Sequence, residues 1–313
     1  MTTPTHVPTS ASRPFLTEGG LETDLIFNHG VDLPEFAAFP LVTTMAGRAS
    51  LTAYFADYVA IARAQGTGAV FETPTWRASS DWGTRLGYDA DQLDQINRSA
   101  VQLLHQVAAT SHDIPVVVSG NVGPRVDGYA VGGAMSRAEA TAYHRPQITS
   151  LVAGGADQIG ALTMTYTDEA AGIVEAATEV GAPVAISFTV ETDGRLPSGA
   201  SLATAIERVD QLTDGAAAYF GINCAHPTHM ARALEQTGPW ERLGLLRYNA
   251  SRASHEELDE AVELDRGDPQ DLLSCHRALV AELPSLVAVG GCCGTDIEHV
   301  GLLHGGPVMV GSA

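Results

Sequence analysis

The 313-residue chain has only four cysteines, two of them adjacent. That number and spacing do not fit the disulfide framework of a small secreted domain. No apolar run approaches the roughly 18 residues that a membrane span needs. The opening segment, residues 1–13, is rich in Thr, Ser and Pro but lacks the apolar h-region of a secretory signal. A flexible tail over 1–13 and a cytoplasmic address are expected, with no membrane partner. Basic residues are scarce, 17 Lys and Arg against 37 Asp and Glu, for a formal charge of −20. Such a surface repels polyphosphate backbones, which argues against a nucleic-acid partner. No low-complexity segment or Gly/Pro/Ser-rich linker divides the remainder, so residues 14–313 are expected to form one domain. A glycine-rich phosphate fingerprint after the first apolar run is also missing, which disfavours a doubly wound dinucleotide fold.

What is present is an alternation. Eight short apolar runs, at 15–20, 68–73, 115–120, 157–163, 183–189, 218–223, 243–249 and 286–291, alternate with longer amphipathic stretches. Those stretches, at 51–65, 91–109, 137–152, 168–180, 202–213, 228–236, 270–282 and 296–303, have helical spacing. Turn signals such as Gln65-Gly66-Thr67-Gly68 and Gly181-Ala182-Pro183 stop a helix and start a strand. Eight βα units predict a single-domain (β/α)8 TIM barrel. The connections at 21–49 and 190–201 are unusually long, and both leave strand C-terminal ends, where such barrels carry their sites.

Cys224 directly follows the sixth run, and Cys292 and Cys293 directly follow the eighth. In a closed parallel barrel those ends share one rim, so three thiols distant in sequence converge. Three thiolates at about 2.3 Å from Zn²⁺ leave one open position, as catalytic zinc sites do. Isolated cysteines are often packing residues, and Cys275, inside a helical stretch, is read that way. His226 precedes Pro227 and is read as a helix start, or as a hydrogen-bond partner behind the metal ligands, rather than as a ligand itself.

The motifs Gly221-Ile222-Asn223-Cys224 and Gly290-Gly291-Cys292-Cys293-Gly294-Thr295, with Glu18-Gly19-Gly20-Leu21-Glu22-Thr23, Tyr143-His144-Arg145-Pro146 and Ala156-Asp157, resemble the homocysteine S-methyltransferase family. The resemblance covers nearly the whole chain. It implies a (β/α)8 barrel, Cys224, Cys292 and Cys293 as Zn²⁺ ligands, and methyl transfer from a sulfonium or ammonium donor to homocysteine, giving methionine. The substrate thiolate on zinc is then the nucleophile, with no protein nucleophile. The expected substrate-binding set is Glu18, Gly19, Gly20, Glu72, Thr73, Trp76, Asn121, Thr163, Tyr166, Glu191 and Asn223. Trp76 and Tyr166 are candidates to face a cationic donor, although packing under loops explains them equally well. Partners are a small thiol and a methyl donor, and a homo-oligomer is compatible with the sequence.

One departure matters. The family's glutamate at the end of the fourth strand, associated with the homocysteine ammonium, aligns with Leu162. Glu72, Glu191 or Glu18 would have to restore that charge. The rival readings are the same zinc chemistry on another small thiol or selenol, and a non-catalytic zinc-bearing binding protein.

Overall fold

Each of the eight apolar runs is too short for a helix and is bounded by a turn, so each becomes a buried strand. The strands are β1 Phe15–Thr17, β2 Ala69–Glu72, β3 Val116–Val122, β4 Gln158–Met164, β5 Val184–Phe188, β6 Tyr219–Ala225, β7 Leu243–Tyr248 and β8 Ala288–Gly291. All pair in parallel and in sequence order, and β1 joins β8 through Phe15↔Ala288 and Leu16↔Val289, closing a barrel. The computed structural model describes residues 13–305. The expected tail, residues 1–13, therefore lies outside the described residues except for Arg13, as do residues 306–313.

Among the described residues, eight longer helices follow the strands: α1 Met45–Gln65, α2 Ala90–Ala109, α3 Arg137–Gly154, α4 Thr167–Glu179, α5 Leu202–Thr213, α6 Pro227–Leu234, α7 Pro269–Val280 and α8 Ile297–Leu303, with short helices at Ser80–Arg85 and His255–Asp259 in the connections. The strand period of two sorts the side chains. Val70, Val117, Ala185, Leu245 and Ala288 fill the barrel interior, while their neighbours Phe71, Val118, Ile186, Leu246 and Val289 pack under the helices. Caps set the helix ends: Asp89 and Ser136 each form a capping box, and Gly66 closes α1 in the left-handed conformation at φ 64°.

The expected element order is borne out, with local corrections. Helix α1 begins at Met45 rather than at 51, because the Thr44 side chain accepts a hydrogen bond from the Gly47 N–H and caps it there. The long connection after β1 is consequently shorter, and short helical turns at Leu21–Thr23, Asp24–Asn28, Pro34–Phe36 and Phe39–Thr43 fill it. Cys275 is not core: it is only half-buried on α7, with the Arg252 guanidinium 3.5 Å from its sulfur.

Candidate active site

The cysteines reach one point because two strands end irregularly. At the end of β6 the register against β7 shifts between Asn223 and Ala225, and Cys224 adopts φ 54°. A non-glycine residue in that region carries strain of roughly 1 to 3 kcal/mol, which the surrounding contacts must hold. They do: His255 Nε2 lies 2.7 Å from the Cys224 carbonyl oxygen, and Tyr129 Oη lies 3.1 Å from its sulfur. Beyond β8, the Cys292 N–H donates to the Tyr248 carbonyl at 2.7 Å and the Thr295 hydroxyl donates to the Cys292 carbonyl at 2.7 Å. A β-carbon on Gly20 would lie 2.5 Å from that same Cys292 carbonyl oxygen, so only glycine lets the end of β1 approach the cysteine turn.

The sulfurs of Cys224, Cys292 and Cys293 all lie within 4.8 Å of one another. A tetrahedral zinc with sulfur at about 2.3 Å has sulfur–sulfur edges of about 3.8 Å, so the cluster fits a metal with little adjustment. Hydrogen bonds from Cys224 and Cys293, with help from the Arg247 guanidinium, hold the Cys292 thiol well below its ordinary range. The thiols of Cys224 and Cys293 are pushed up, chiefly by sharing those same bonds with a neighbouring thiolate and by burial. Without a cation the cluster thus sheds one proton readily, whereas a divalent cation favours all three thiolates.

Beneath the sulfurs lies a small cavity lined by residues that include Glu18, Glu22, Glu72, Asn121, Leu162, Thr163, Arg247 and the three cysteines. Arg247 Nη1 stands 2.7 Å from Glu18 Oε1, and both side chains are buried. Arg247 also donates from Nε to the Gly291 carbonyl at 2.9 Å, tying β7 to the end of β8. Glu72 is different. Burial pushes its carboxyl up to about 7 despite the nearby Arg247, and its Oε2 is buried without a hydrogen-bond partner. Asn121 Oδ1, on the adjacent strand, is likewise buried and unpartnered. Burial also raises Glu22 to about 7, with the Cys292 thiolate adding to the effect.

The homocysteine S-methyltransferase family model matches residues 15–304. The chain belongs to the homocysteine S-methyltransferase family. In sequence this family enzyme is 28% identical to a methionine synthase of Mycobacterium leprae over 237 residues, 68% of this chain but 18% of that protein. Its fold is similar to the Escherichia coli homocysteine methyltransferase MmuM, with 20% identity. The TM-score is 0.72 for the oxidized form, covering 93% of this chain and 94% of that one. It is 0.70 for the metallated form, covering 93% and 95%.

Of the residues expected to form the site, Glu18, Gly19, Gly20, Glu72, Thr73, Trp76, Asn121, Thr163, Asn223 and the three cysteines line the cavity. Within it their circumstances differ. Glu18 is engaged by Arg247, and Asn223 is held at both ends of its amide by Thr163, at 2.7 Å to the backbone N–H and 2.8 Å to the hydroxyl. Trp76 donates its indole N–H to the Leu162 carbonyl at 3.2 Å, and the Arg77 guanidinium lies 5.0 Å from its ring centroid, which occupies a face expected to meet a donor cation. Tyr166 and Glu191 are not brought into the cavity. Tyr166 precedes α4 and its hydroxyl accepts from the Met135 N–H at 2.9 Å, while Glu191 turns to His255 Nδ1 at 2.9 Å. His226 caps α6 as expected. The residues that the sequence did not single out are Tyr129, Arg247, Glu22 and His255. Arg247 had a signal, a lone charge in the apolar run of β7, which burial obliges to find a partner.

Among the described residues, no helix is long and apolar enough to cross a membrane.

Proposed function

We propose that this enzyme is zinc-dependent and moves a methyl group from a cationic sulfonium or ammonium donor to the thiol of homocysteine, giving methionine. The observation that carries the reading is the three-sulfur cluster standing over a cavity whose wall presents two unpartnered acceptors, Glu72 Oε2 and Asn121 Oδ1. Zinc on Cys224, Cys292 and Cys293 would hold the acceptor sulfur as a thiolate at neutral pH, where a free thiol with a pKa near 8.5 is mostly protonated. The protein's own residues supply orientation. The acceptor atoms of Glu72 and Asn121 suit the ammonium of an amino-acid thiol, a charge that the apolar Leu162 cannot meet. An ammonium beside Glu72 would in turn favour its ionised form. The sulfur lone pair then attacks the methyl carbon in line, the donor's bond to that carbon breaks, and the donor leaves as a neutral thioether or amine.

Leu162 favours a second reading, the same transfer to a small thiol or selenol without an amino group. Mass-spectrometric assay of the zinc-loaded protein with several thiols and several cationic donors decides between them. One zinc per chain is expected by elemental analysis. Cys292→Ala is expected to lose both metal and turnover while keeping its circular dichroism. A fully active, metal-free protein would falsify the zinc reading.

A further inference from the structure

At the opposite end of the barrel from the cysteines, where the strands begin, a cavity of about 340 Å³ opens between the approach to β1 and the helices α1, α7 and α8. Its charged walls are all of one sign: Arg13, Arg277, His276 and His304 line it, and no described Asp or Glu does. In a chain with a formal charge of −20 that concentration needs a reason. Many of the other arginines are matched to carboxylates, as Arg63 is to Asp113 and Arg252 to Asp271. Here Arg13 gives one Nη1 hydrogen bond to the Gln65 carbonyl at 3.3 Å, which uses one of its five donors. The Arg277 guanidinium has no hydrogen bond or ion pair to a described residue. The histidines feel the same field. Burial, then His304 and Arg277, push the His276 imidazole down to about 4, and burial together with Arg13 lowers His304 against the pull of its bond to the Val289 carbonyl. No carboxylate relieves either ring. Each ring spends one nitrogen on the barrel, His276 Nδ1 on Tyr248 Oη at 2.9 Å and His304 Nε2 on the Val289 carbonyl at 3.0 Å. Compensation of helix ends does not account for the cluster. Helices α1 and α8 both finish here, and each C-terminus carries about half a negative charge, a sum that two guanidiniums exceed.

We propose that this basal cavity binds a small dianion, an oxyanion or a dicarboxylate, between the guanidiniums of Arg13 and Arg277. Guanidinium forks match such groups with paired hydrogen bonds. The remaining walls include the apolar Pro14, Leu273, Leu302 and Leu303, which keep water from the charges and strengthen their attraction for an anion. The volume lies within the range of small-molecule sites. Arg13 leads into β1 while Arg277 stands on α7 and His304 follows α8, so an occupant braces the seam where β1 meets β8. The cysteines follow the far ends of the strands, so the site is separate from the methyl-transfer chemistry and independent of the zinc reading.

Sulfate and succinate, both dianions near neutral pH, are the probes. The full chain, carrying carbon-13 at histidine Cε1, is titrated with each in place of chloride at constant ionic strength and followed by NMR. The His276 and His304 resonances, assigned through His276→Gln and His304→Gln, are expected to shift together along one saturable curve. The exposed His29, in the connection after β1, should stay still. Arg277→Ala should weaken binding about tenfold or more, and Arg13→Ala, on the other wall, should do the same. Arg208→Ala removes an equal charge from an exposed position on α5 and should change binding less than about twofold. A response to sulfate alone assigns the cavity to an oxyanion and a response to succinate alone to a dicarboxylate; either supports the proposal. Two resonances that move with neither probe overturn it. Equal weakening in Arg277→Ala and Arg208→Ala also overturns it, since the effect would then belong to the overall charge.

Discussion

At the scale of single residues, the site is a contest between buried charges, and Glu72 and Arg247 stand on opposite sides of it. The Glu72 carboxyl is raised by burial to about 7, against 4.5 for the free group. Folding therefore prefers the neutral acid: the cost is absent below about pH 4.5, grows toward pH 7, and is constant above. Glu72→Gln removes an ionisation worth on the order of 3 kcal/mol. Chemical denaturation should find the variant more stable than wild type at pH 8 and equal to it at pH 4. The same variant should raise the KM for homocysteine tenfold or more while leaving a thiol without an amino group unaffected. If neither KM moves, Glu72 does not read the ammonium. Arg247 behaves oppositely. Removing it as Arg247→Met leaves Glu18 buried without its cation, a change expected to cost about 3 to 5 kcal/mol. A denaturation midpoint unchanged at pH 7.5 would show that the pair contributes no such stability.

At the scale of elements, strand ends rather than strand middles make the chemistry. The shift in β4 between Ala161 and Met164 places Thr163 at φ 65°, and the shift in β6 places Cys224 at φ 54°. Asn223 clips the two irregular ends together. Such bulges re-aim side chains at barrel rims. At the closing seam, a β-carbon on Gly290 would collide with the Thr17 backbone and hydroxyl of β1. Gly290→Ala should therefore push β8 outward and carry Cys292 with it. We expect loss of metal stoichiometry together with a lowered melting temperature. Gly66→Ala is the comparison: it imposes a left-handed alanine at the end of α1, far from the cysteines, at about 1 to 2 kcal/mol. It should lower the melting temperature and keep the metal. Equal metal content in the two variants would refute the seam argument.

At the scale of the molecule, the apolar core predicts a fold that does not depend on a metal. An interior cluster and a continuous shell between strands and helices are complete around the whole barrel, and a chain of this size buries enough apolar surface to fold on its own. Chelation should stop turnover while leaving far-UV circular dichroism nearly unchanged. Unfolding on metal removal, as small zinc modules show, would assign the site a structural role instead.

How much of this was legible in the residues divides along a physical line. The sequence by itself determined the eight strands, the helices between them and the three cysteines on one rim, because hydrophobic period, turn residues and caps act locally. A parallel barrel then leaves one arrangement for residues that follow its strands. Which partner each buried charge would take was not written locally. Arg247 is paired with Glu18 across 229 positions of sequence, and Tyr129 meets Cys224 across 95. The tertiary structure also turned Glu191 and Tyr166 away from the cavity to which their strand-end positions pointed, because His255 and Met135 offered them hydrogen bonds elsewhere. Side-chain pairing in a closed barrel depends on which strand ends face each other across the rim and at what height. Those distances exist only once β1 has met β8.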